Sequence, residues 1–236
     1  MREKVKRLSY QREVIYTKEH WELLAIKRNK AIRIMKAIAE FSPIVHGSIA
    51  RGDVNKKSDI DIVILYPVSS FLIETKLLQH QIKIQGKYIV QATPKHTIKG
   101  QYIIDDECSI TIPLTKFSRL EVEFYKFGGL LYLDDLIMNK RTPGVDKQLL
   151  LIIPTEKGHI EKSVLENIKE ASKVVGVSTD IINERIKVLK RRDEIGRTGV
   201  YMKHELAPDE NFESYFDKII KRDPAVRRML KKRGYL

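Results

Sequence analysis

Residues 47–61 read GSIARGDVNKKSDID and are the most informative stretch of the chain. A Gly-Ser turn, Gly47-Ser48, is followed by two aspartates, Asp59 and Asp61, with one residue between them. The aspartates begin the apolar run of residues 60–65, whose β-branched side chains predict a buried strand. Because alternate side chains of a strand share a face, both carboxylates are expected to point the same way.

This arrangement suits chemistry on phosphates. Two carboxylates with Cα atoms roughly 6.5 Å apart can hold two divalent ions about 3.5–4 Å apart, which stabilise the attacking and leaving oxygens of a displacement. Residues 44–46 predict a strand that runs into Gly47, where the backbone can approach a phosphate and adjacent amides can bind an anion. A short helix from Ser48 would add to this, with Arg51 placed for a phosphate contact. The alternative is an ordinary strand-turn-strand in which the aspartates solvate a strand end.

The stretch resembles the signature of the DNA polymerase beta type nucleotidyltransferase superfamily, in its small archaeal or bacterial form. The matching residues are Gly47, Ser48, Ala50, Arg51, Gly52, Ser58, Asp59 and Asp61. The resemblance implies attack of an acceptor hydroxyl on the α-phosphate of a nucleoside triphosphate, release of pyrophosphate, and assistance by Mg²⁺ or Mn²⁺. It implies that Asp59 and Asp61 hold the metal and carry catalysis. The residues that it implies in nucleotide binding are Gly47, Ser48, Arg51 and Ser58.

The resemblance also implies a third carboxylate on a later strand beside the aspartate pair, acting as metal ligand or proton acceptor. The candidates are Asp105, Asp106, Glu107, Glu121 and Glu123. Residues 108–112 alternate like a half-buried strand, and Glu107 enters that strand on its polar face. We therefore predict Glu107 as the third catalytic carboxylate. Glu121 and Glu123 are expected to be solvated residues of a short helix that ends near Gly128.

Composition and charge narrow the class of protein. The 236-residue chain is 42% hydrophobic, and it contains one cysteine, which excludes an internal disulfide, and six scattered histidines without ligand spacing. The net charge of +13 lies in the flanks: residues 1–36 carry +7, residues 181–236 carry +6, and the centre is neutral. Such flanks predict a nucleic-acid partner, DNA or RNA; the alternative is that basic helices serve solubility. No apolar run could span a membrane and no signal peptide is recognised, so we expect a cytoplasmic protein.

The expected fold class is α/β (α+β), with a mixed sheet covered by helices and an added winged helix-turn-helix-like unit. The expected divisions are a basic helical segment (1–42), a nucleotidyltransferase domain (43–145) and a winged unit with a basic helical tail (146–236). In the winged unit, Ser163 and Ser178 are expected to cap two helices, and residues 195–202 to form the wing. The residues predicted to bind nucleic acid are Arg185, Lys187, Lys190, Arg191 and Arg197. The alternative is a helical hairpin that only packs on the first domain.

Two other functions remain open from the sequence. One is a regulator in which a degenerate transferase fold senses a nucleotide and the winged unit binds DNA. The other is a transferase that modifies a protein or a small molecule, for which the basic flanks would have no partner.

Overall fold

The computed structural model describes residues 5, 6, 8, 10–196 and 199–236. Within these residues, the strands are β1 (Arg12–Ile15), β2 (Ile44–His46), β3 (Ile60–Val63), β4 (Gly86–Gln91), β5 (Lys99–Asp105), β6 (Cys108–Pro113), β7 (Leu130–Tyr132), β8 (Gly144–Val145), β9 (Leu150–Thr155), β10 (Gly158–Ser163) and β11 (Met202–Leu206). The helices are α1 (Lys18–Ala37), α2 (Ser48–Arg51), α3 (Ser70–Gln79), α4 (Arg119–Phe127), α5 (Leu133–Ile137), α6 (Ile168–Val175), α7 (Thr179–Ile195), α8 (Phe212–Arg222) and α9 (Pro224–Lys232). The predicted α/β class is confirmed.

The larger sheet is mixed and has the order β11-β4-β5-β6-β3-β2-β7. Strands β3 and β6 run parallel, and the other neighbours are antiparallel. Helix α1 packs against this sheet, and Met35 and Ile38 from its apolar face are fully buried. Helix α1 is capped by Thr17, whose hydroxyl accepts a hydrogen bond from His20 N–H.

The end of the chain belongs to the same core. Helices α8 and α9 bury Phe212, Val226 and Leu230 in the cluster that contains the larger sheet. Gly100 on β5 makes room for this packing, since a Cβ there would lie 2.7 Å from the Phe212 ring. The structure therefore departs from the predicted divisions: α1 is a core helix of the main unit, and the helical tail packs on that unit too.

The smaller sheet is antiparallel, with the order β1-β10-β9-β8. Strand β1 near the N-terminus thus pairs with β10, which lies about 150 residues later in the sequence. Helices α6 and α7 pack on it and share its core, in which Leu151, Ile181 and Ile182 are buried. Ser178 caps α7 as predicted. The expected cap at Ser163 is wrong, because Ser163 ends β10 and α6 is capped by Asn167, whose side chain accepts a hydrogen bond from Glu170 N–H.

The expected wing is also replaced by a different pairing. Strand β11 joins the edge of the larger sheet, where Met202 pairs with Gln91 of β4, instead of folding back as a local hairpin beside α7. A winged helix domain is therefore not shown, although α6 and α7 form the expected pair of helices. Arg197, at the predicted wing tip, lies outside the described residues. In the part of the chain that the structure describes, no helix has both the length and the apolar composition needed to cross a bilayer.

Candidate active site

A cavity of about 690 Å³ lies between one edge of the larger sheet, the smaller sheet and helix α7. Its side on the larger sheet is formed by the β2–α2 turn, the loop that follows α2 and the start of β3. Its other sides come from the β8–β9 turn, strand β10, the end of α4 and one face of α7. The polar lining residues include Ser48, Asp53, Ser58, Asp59, Asp61, Asp146, Lys147, His159, Glu161, Arg185 and Arg192.

The two aspartates lie together in this cavity. Asp61 is in β3 and Asp59 directly precedes it, and both carboxylates are open to the cavity. Asp61 is surrounded by protein on its other sides, and this burial, followed by the charge of Asp59, raises the pKa of Asp61. Lys147 and Lys99 act in the opposite direction as nearby positive charges. The two carboxylates therefore repel each other, and a bound cation would reduce this repulsion.

The Gly-Ser turn faces the same cavity. Gly47 has φ 81° and ψ −143°, a conformation that favours glycine, and its N–H donates to the Gly129 carbonyl at 3.0 Å. A Cβ on Gly47 would meet no atom within 4 Å, so the missing side chain leaves open space in front of the turn. Helix α2 begins at Ser48 as predicted, and its first amides have no partner within the helix. The turn thus offers backbone donors beside open space.

Two predicted nucleotide contacts have structural partners instead. The Arg51 guanidinium donates to both carboxylate oxygens of Asp53, at 2.9 and 2.8 Å, and to the Gly128 carbonyl at 2.5 Å. The Ser58 hydroxyl accepts a hydrogen bond from Asn55 N–H at 2.9 Å and so braces the loop before β3. Both side chains hold the shape of the cavity, and three of the five N–H donors of Arg51 already have protein acceptors, so the expected phosphate contact of Arg51 is not supported.

Glu107 is not brought to the aspartates. It lies in the turn before β6, and its carboxylate pairs with Lys27 at 3.2 Å and Lys30 at 3.9 Å, outside the cavity lining. The parallel pairing of β3 and β6 instead places Ser109 directly beside Asp61, where its hydroxyl favours the ionised carboxylate. The position that the resemblance gives to a third carboxylate is thus occupied by a serine. Among the described residues, no three His, Cys, Asp or Glu side chains are grouped closely enough to hold a metal.

The other acidic candidates also have structural roles. Glu121, expected to be solvated, is buried at the start of α4, where it closes a capping box with Ser118 and accepts from Thr97. Burial opposes its ionisation, but these hydrogen bonds and the charge of Arg233 keep the pKa of Glu121 below its usual range. Glu123 accepts from the hydroxyl of Ser178 and so ties α4 to α7. Neither lines the cavity.

Asp146 is a cavity carboxylate that sequence reasoning missed. It lies in the turn between β8 and β9, where one carboxylate oxygen accepts from the amides of Gln148 and Leu150 at 2.9 and 2.8 Å. Leu149 in the same turn is fully buried with φ 61°, an unfavourable conformation for a branched side chain. Burial raises the pKa of Asp146 to about 6. No local motif marks this residue, because only the pairing of the smaller sheet carries it to the site.

A buried hydrogen-bonded chain also reaches the cavity from the smaller sheet. The Tyr16 hydroxyl lies 2.7 Å from His159 Nδ1, and His159 Nε2 lies 3.2 Å from a carboxylate oxygen of Glu161. Arg12 binds the other oxygen of Glu161 at 2.5 Å. Burial raises the pKa of Tyr16 above its usual range, so its hydroxyl stays protonated. His159, one of the scattered histidines of the sequence, is therefore part of the cavity wall.

The predicted nucleic-acid residues of α7 lie on two different faces. Arg185 lines the cavity together with Leu189 and Arg192, and its guanidinium lies 5.0 Å from the centre of the Phe124 ring. The structure therefore does not place Arg185 on one surface with the other described residues of this predicted set. Lys187, Lys190 and Arg191 are exposed and do not line the cavity.

Comparison with known proteins agrees with the motif. Residues 28–111 match a family model described as a nucleotidyltransferase domain. The segment runs from α1 into β6, so it contains the Gly-Ser turn and both cavity aspartates. The match supports the nucleotidyltransferase superfamily for this part of the chain and a general nucleotidyl transfer activity. No curated protein and no solved structure matched the chain.

Proposed function

We propose that the protein transfers a nucleoside monophosphate from a nucleoside triphosphate to an acceptor hydroxyl, with release of pyrophosphate. The observation that carries this proposal is the placement of Asp59 and Asp61 on one side of a cavity that also holds the Gly47-Ser48 turn. Carboxylate oxygens are the ligands that Mg²⁺ and Mn²⁺ prefer, and their repulsion at Asp61 favours a bound cation. Two such ions would neutralise the triphosphate and the charge developing in the transition state.

Residues of the chain itself bind the phosphates, position the binding groups and accept the proton. The amide at Ser48 binds a phosphate oxygen in the open space before the turn, whereas the Gly47 amide holds the turn through its bond to the Gly129 carbonyl. Arg51 and Ser58 act indirectly, by fixing the turn and the loop that carry these donors. For proton acceptance we favour Asp146 over Glu107, because Asp146 lines the cavity and a pKa of about 6 suits a base near neutral pH.

Calorimetry with each nucleoside triphosphate, with and without Mg²⁺ or Mn²⁺, tests the metal and nucleotide site. Binding should require the metal and disappear in the Asp59→Asn, Asp61→Asn double variant. The matched control is Asp209→Asn with Asp217→Asn, which removes two exposed carboxylates outside the cavity and should bind like the wild type. Binding that is independent of metal and unchanged in the Asp59/Asp61 variant contradicts the assignment.

For the acceptor, the proposal favours nucleic acid in a cytoplasmic protein. Exposed basic side chains form two surfaces: the outer face of α7, with Lys187, Lys190 and Arg191, and a second one at Lys95, Arg228 and Lys232 beside α9. Removing one side chain that neutralises a phosphate should flatten the salt dependence of binding by about one unit of log–log slope. A triple Ala variant of each surface, measured against duplex DNA and structured RNA, identifies the surface used. An unchanged slope in both variants contradicts a nucleic-acid acceptor and favours a protein or small-molecule acceptor.

A second candidate function is supported by Ser109. A transferase fold with a serine in the third-carboxylate position suits a regulator that binds a nucleotide without turning it over. Incubation with labelled triphosphates and Mg²⁺, with and without cellular RNA, separates the two functions. Incorporated label supports the transferase, whereas metal-dependent binding without label transfer supports the sensor.

A further inference from the structure

Arg185 is a partly buried cation on the wall of the cavity. Its guanidinium rests on the Phe124 ring at 5.0 Å, and burial, followed by the nearby charge of Arg192, lowers the pKa of Arg185 to about 10. Glu184 offsets this only in part. Arg192 lines the same wall, so two cations face one cavity from one helix. Arg192 is exposed, but Arg185 is partly desolvated and has a second cation nearby, so an anion bound at both guanidinium groups would stabilise the charge of Arg185.

The fold supplies no such anion. Neither guanidinium donates a hydrogen bond or forms an ion pair with any residue that the structure describes. Arg28 shows what the fold does elsewhere: burial lowers its pKa to about 10 as well, but its guanidinium donates to the carbonyls of Ile49, Ala50 and Lys140. Unlike the fully buried Arg28, the partly buried Arg185 therefore keeps its donors unused at the cavity wall.

We propose that Arg185 and Arg192 form an anion subsite that binds a phosphate group of a ligand in the cavity. A guanidinium presents a planar set of N–H donors that matches phosphate oxygens, and the Phe124 ring lies against the guanidinium of Arg185. Helix α7 thus contributes to the cavity across from Asp59 and Asp61, although it lies outside the segment that matches the nucleotidyltransferase model.

This inference deepens the proposed function and rests on it for the identity of the ligand. The phosphate belongs either to the triphosphate or to a phosphorylated acceptor. The subsite itself needs no metal, because its positive charge is supplied by the side chains. This difference allows the subsite and the metal site to fail separately in experiment.

Inorganic tripolyphosphate, in chelator and about 0.15 M salt, is the probe of the subsite. Arg185→Gln with Arg192→Gln should weaken its binding at least about tenfold, which corresponds to about 1.4 kcal/mol. Lys169→Gln with Lys173→Gln removes two exposed charges from the neighbouring helix α6, outside the cavity, and should change the affinity less than about twofold. Arg185→Lys keeps the charge but not the planar donors, and it should give an intermediate affinity. Equal losses in the Arg and Lys double variants, in proteins with wild-type circular dichroism, overturn the proposal.

The source of the phosphate is decided by two further titrations. If the triphosphate supplies it, the Arg double variant also weakens binding of the metal–nucleotide complex. If the acceptor supplies it, nucleotide binding is unchanged, and the variant loses the preference for a 5′-phosphorylated over a 5′-hydroxyl oligonucleotide. If the Arg double variant changes neither the binding of the metal–nucleotide complex nor the preference for the 5′-phosphorylated oligonucleotide, the subsite is overturned. The Asp59→Asn, Asp61→Asn variant should retain metal-free tripolyphosphate binding, so failure of the metal site leaves this result intact.

Discussion

Replacing Arg51 tests whether this residue of the motif binds phosphate or holds the fold. The Arg51 and Asp53 side chains are only 7% and 15% exposed, and they share two hydrogen bonds, at 2.9 and 2.8 Å. Arg51→Met leaves the Asp53 carboxylate desolvated without its partner and the Gly128 carbonyl without its donor. Breaking a buried pair of this kind costs about 3–5 kcal/mol. We expect a loss near 3 kcal/mol, because Asp53 keeps some contact with solvent.

Urea denaturation followed by circular dichroism at pH 7 measures this loss. Removing both charges should be less damaging than removing one, since no unpaired ion remains, so Arg51→Met with Asp53→Leu should recover about 1–3 kcal/mol relative to Arg51→Met alone. Under conditions where Arg51→Met is folded, its affinity for a metal–nucleotide complex should stay within about threefold of the wild type. A variant as stable as the wild type that has lost nucleotide binding would refute this reasoning and restore the phosphate contact.

Three further changes test the packing and the titrating groups. Gly100→Ala should lower the free energy of unfolding by about 1–3 kcal/mol in urea denaturation, because its Cβ would overlap the fully buried Phe212 ring. Asp146→Asn should raise the free energy of unfolding at pH 7 by about 1–3 kcal/mol and reduce any transfer activity. Because the pKa of Asp146 is raised to about 6, the wild type loses stability as the pH rises from about 4 through 6. The stability gained by the variant in urea denaturation should therefore vanish near pH 4. Glu121→Gln should lower the free energy of unfolding by about 1.5–3 kcal/mol at pH 7. Because the pKa of Glu121 is lowered, its carboxylate stabilises the fold only when it is ionised, so the difference between variant and wild type should shrink as the pH falls below about 4.3. A constant difference down to pH 3 would contradict this.

The sequence predicts best what depends on neighbouring residues. The Gly47 turn, the strand that begins at Ile60 and the helix cap at Ser178 are all present, because each depends on backbone conformation or hydrogen bonds within a few positions. The cap expected at Ser163 fails for a related reason. Its spacing to Glu166 satisfies a capping box, but pairing of residues 158–163 with β9 and β1 competes for the same backbone and wins.

What the sequence does not predict depends on distant segments. Arg185 and Lys187 differ by two positions on one helix, about 200° of rotation, and only the tertiary packing decides which of them faces the cavity. Strands β4 to β7 lie between Asp61 and Asp146 in the sequence. The pairing of β8 with β9 then places Asp146 in the same cavity as Asp59 and Asp61. Likewise, the alternation in residues 108–112 identifies the strand but not its register, and the register decides that Ser109, not Glu107, lies beside Asp61.

Ser109→Asp follows from this register and tests it. An aspartate there would lie on a strand about 4.8 Å from β3, and its repulsion with Asp61 reaches about 3 kcal/mol at an effective dielectric constant near 20. Without metal, the variant should therefore melt at a lower temperature than the wild type, all the more because it loses the Ser109 hydroxyl that favours ionised Asp61. A third carboxylate should also bind divalent ions more tightly, so Mn²⁺ should raise the melting temperature of the variant more than that of the wild type. Thr111→Asp, on the same face but one pair further along β6, is the matched control and should gain less from Mn²⁺. Equal Mn²⁺ responses in Ser109→Asp, Thr111→Asp and the wild type would show that the position beside Asp61 is not part of a metal site, and Asp59 and Asp61 would then bind the ion without a ligand from β6.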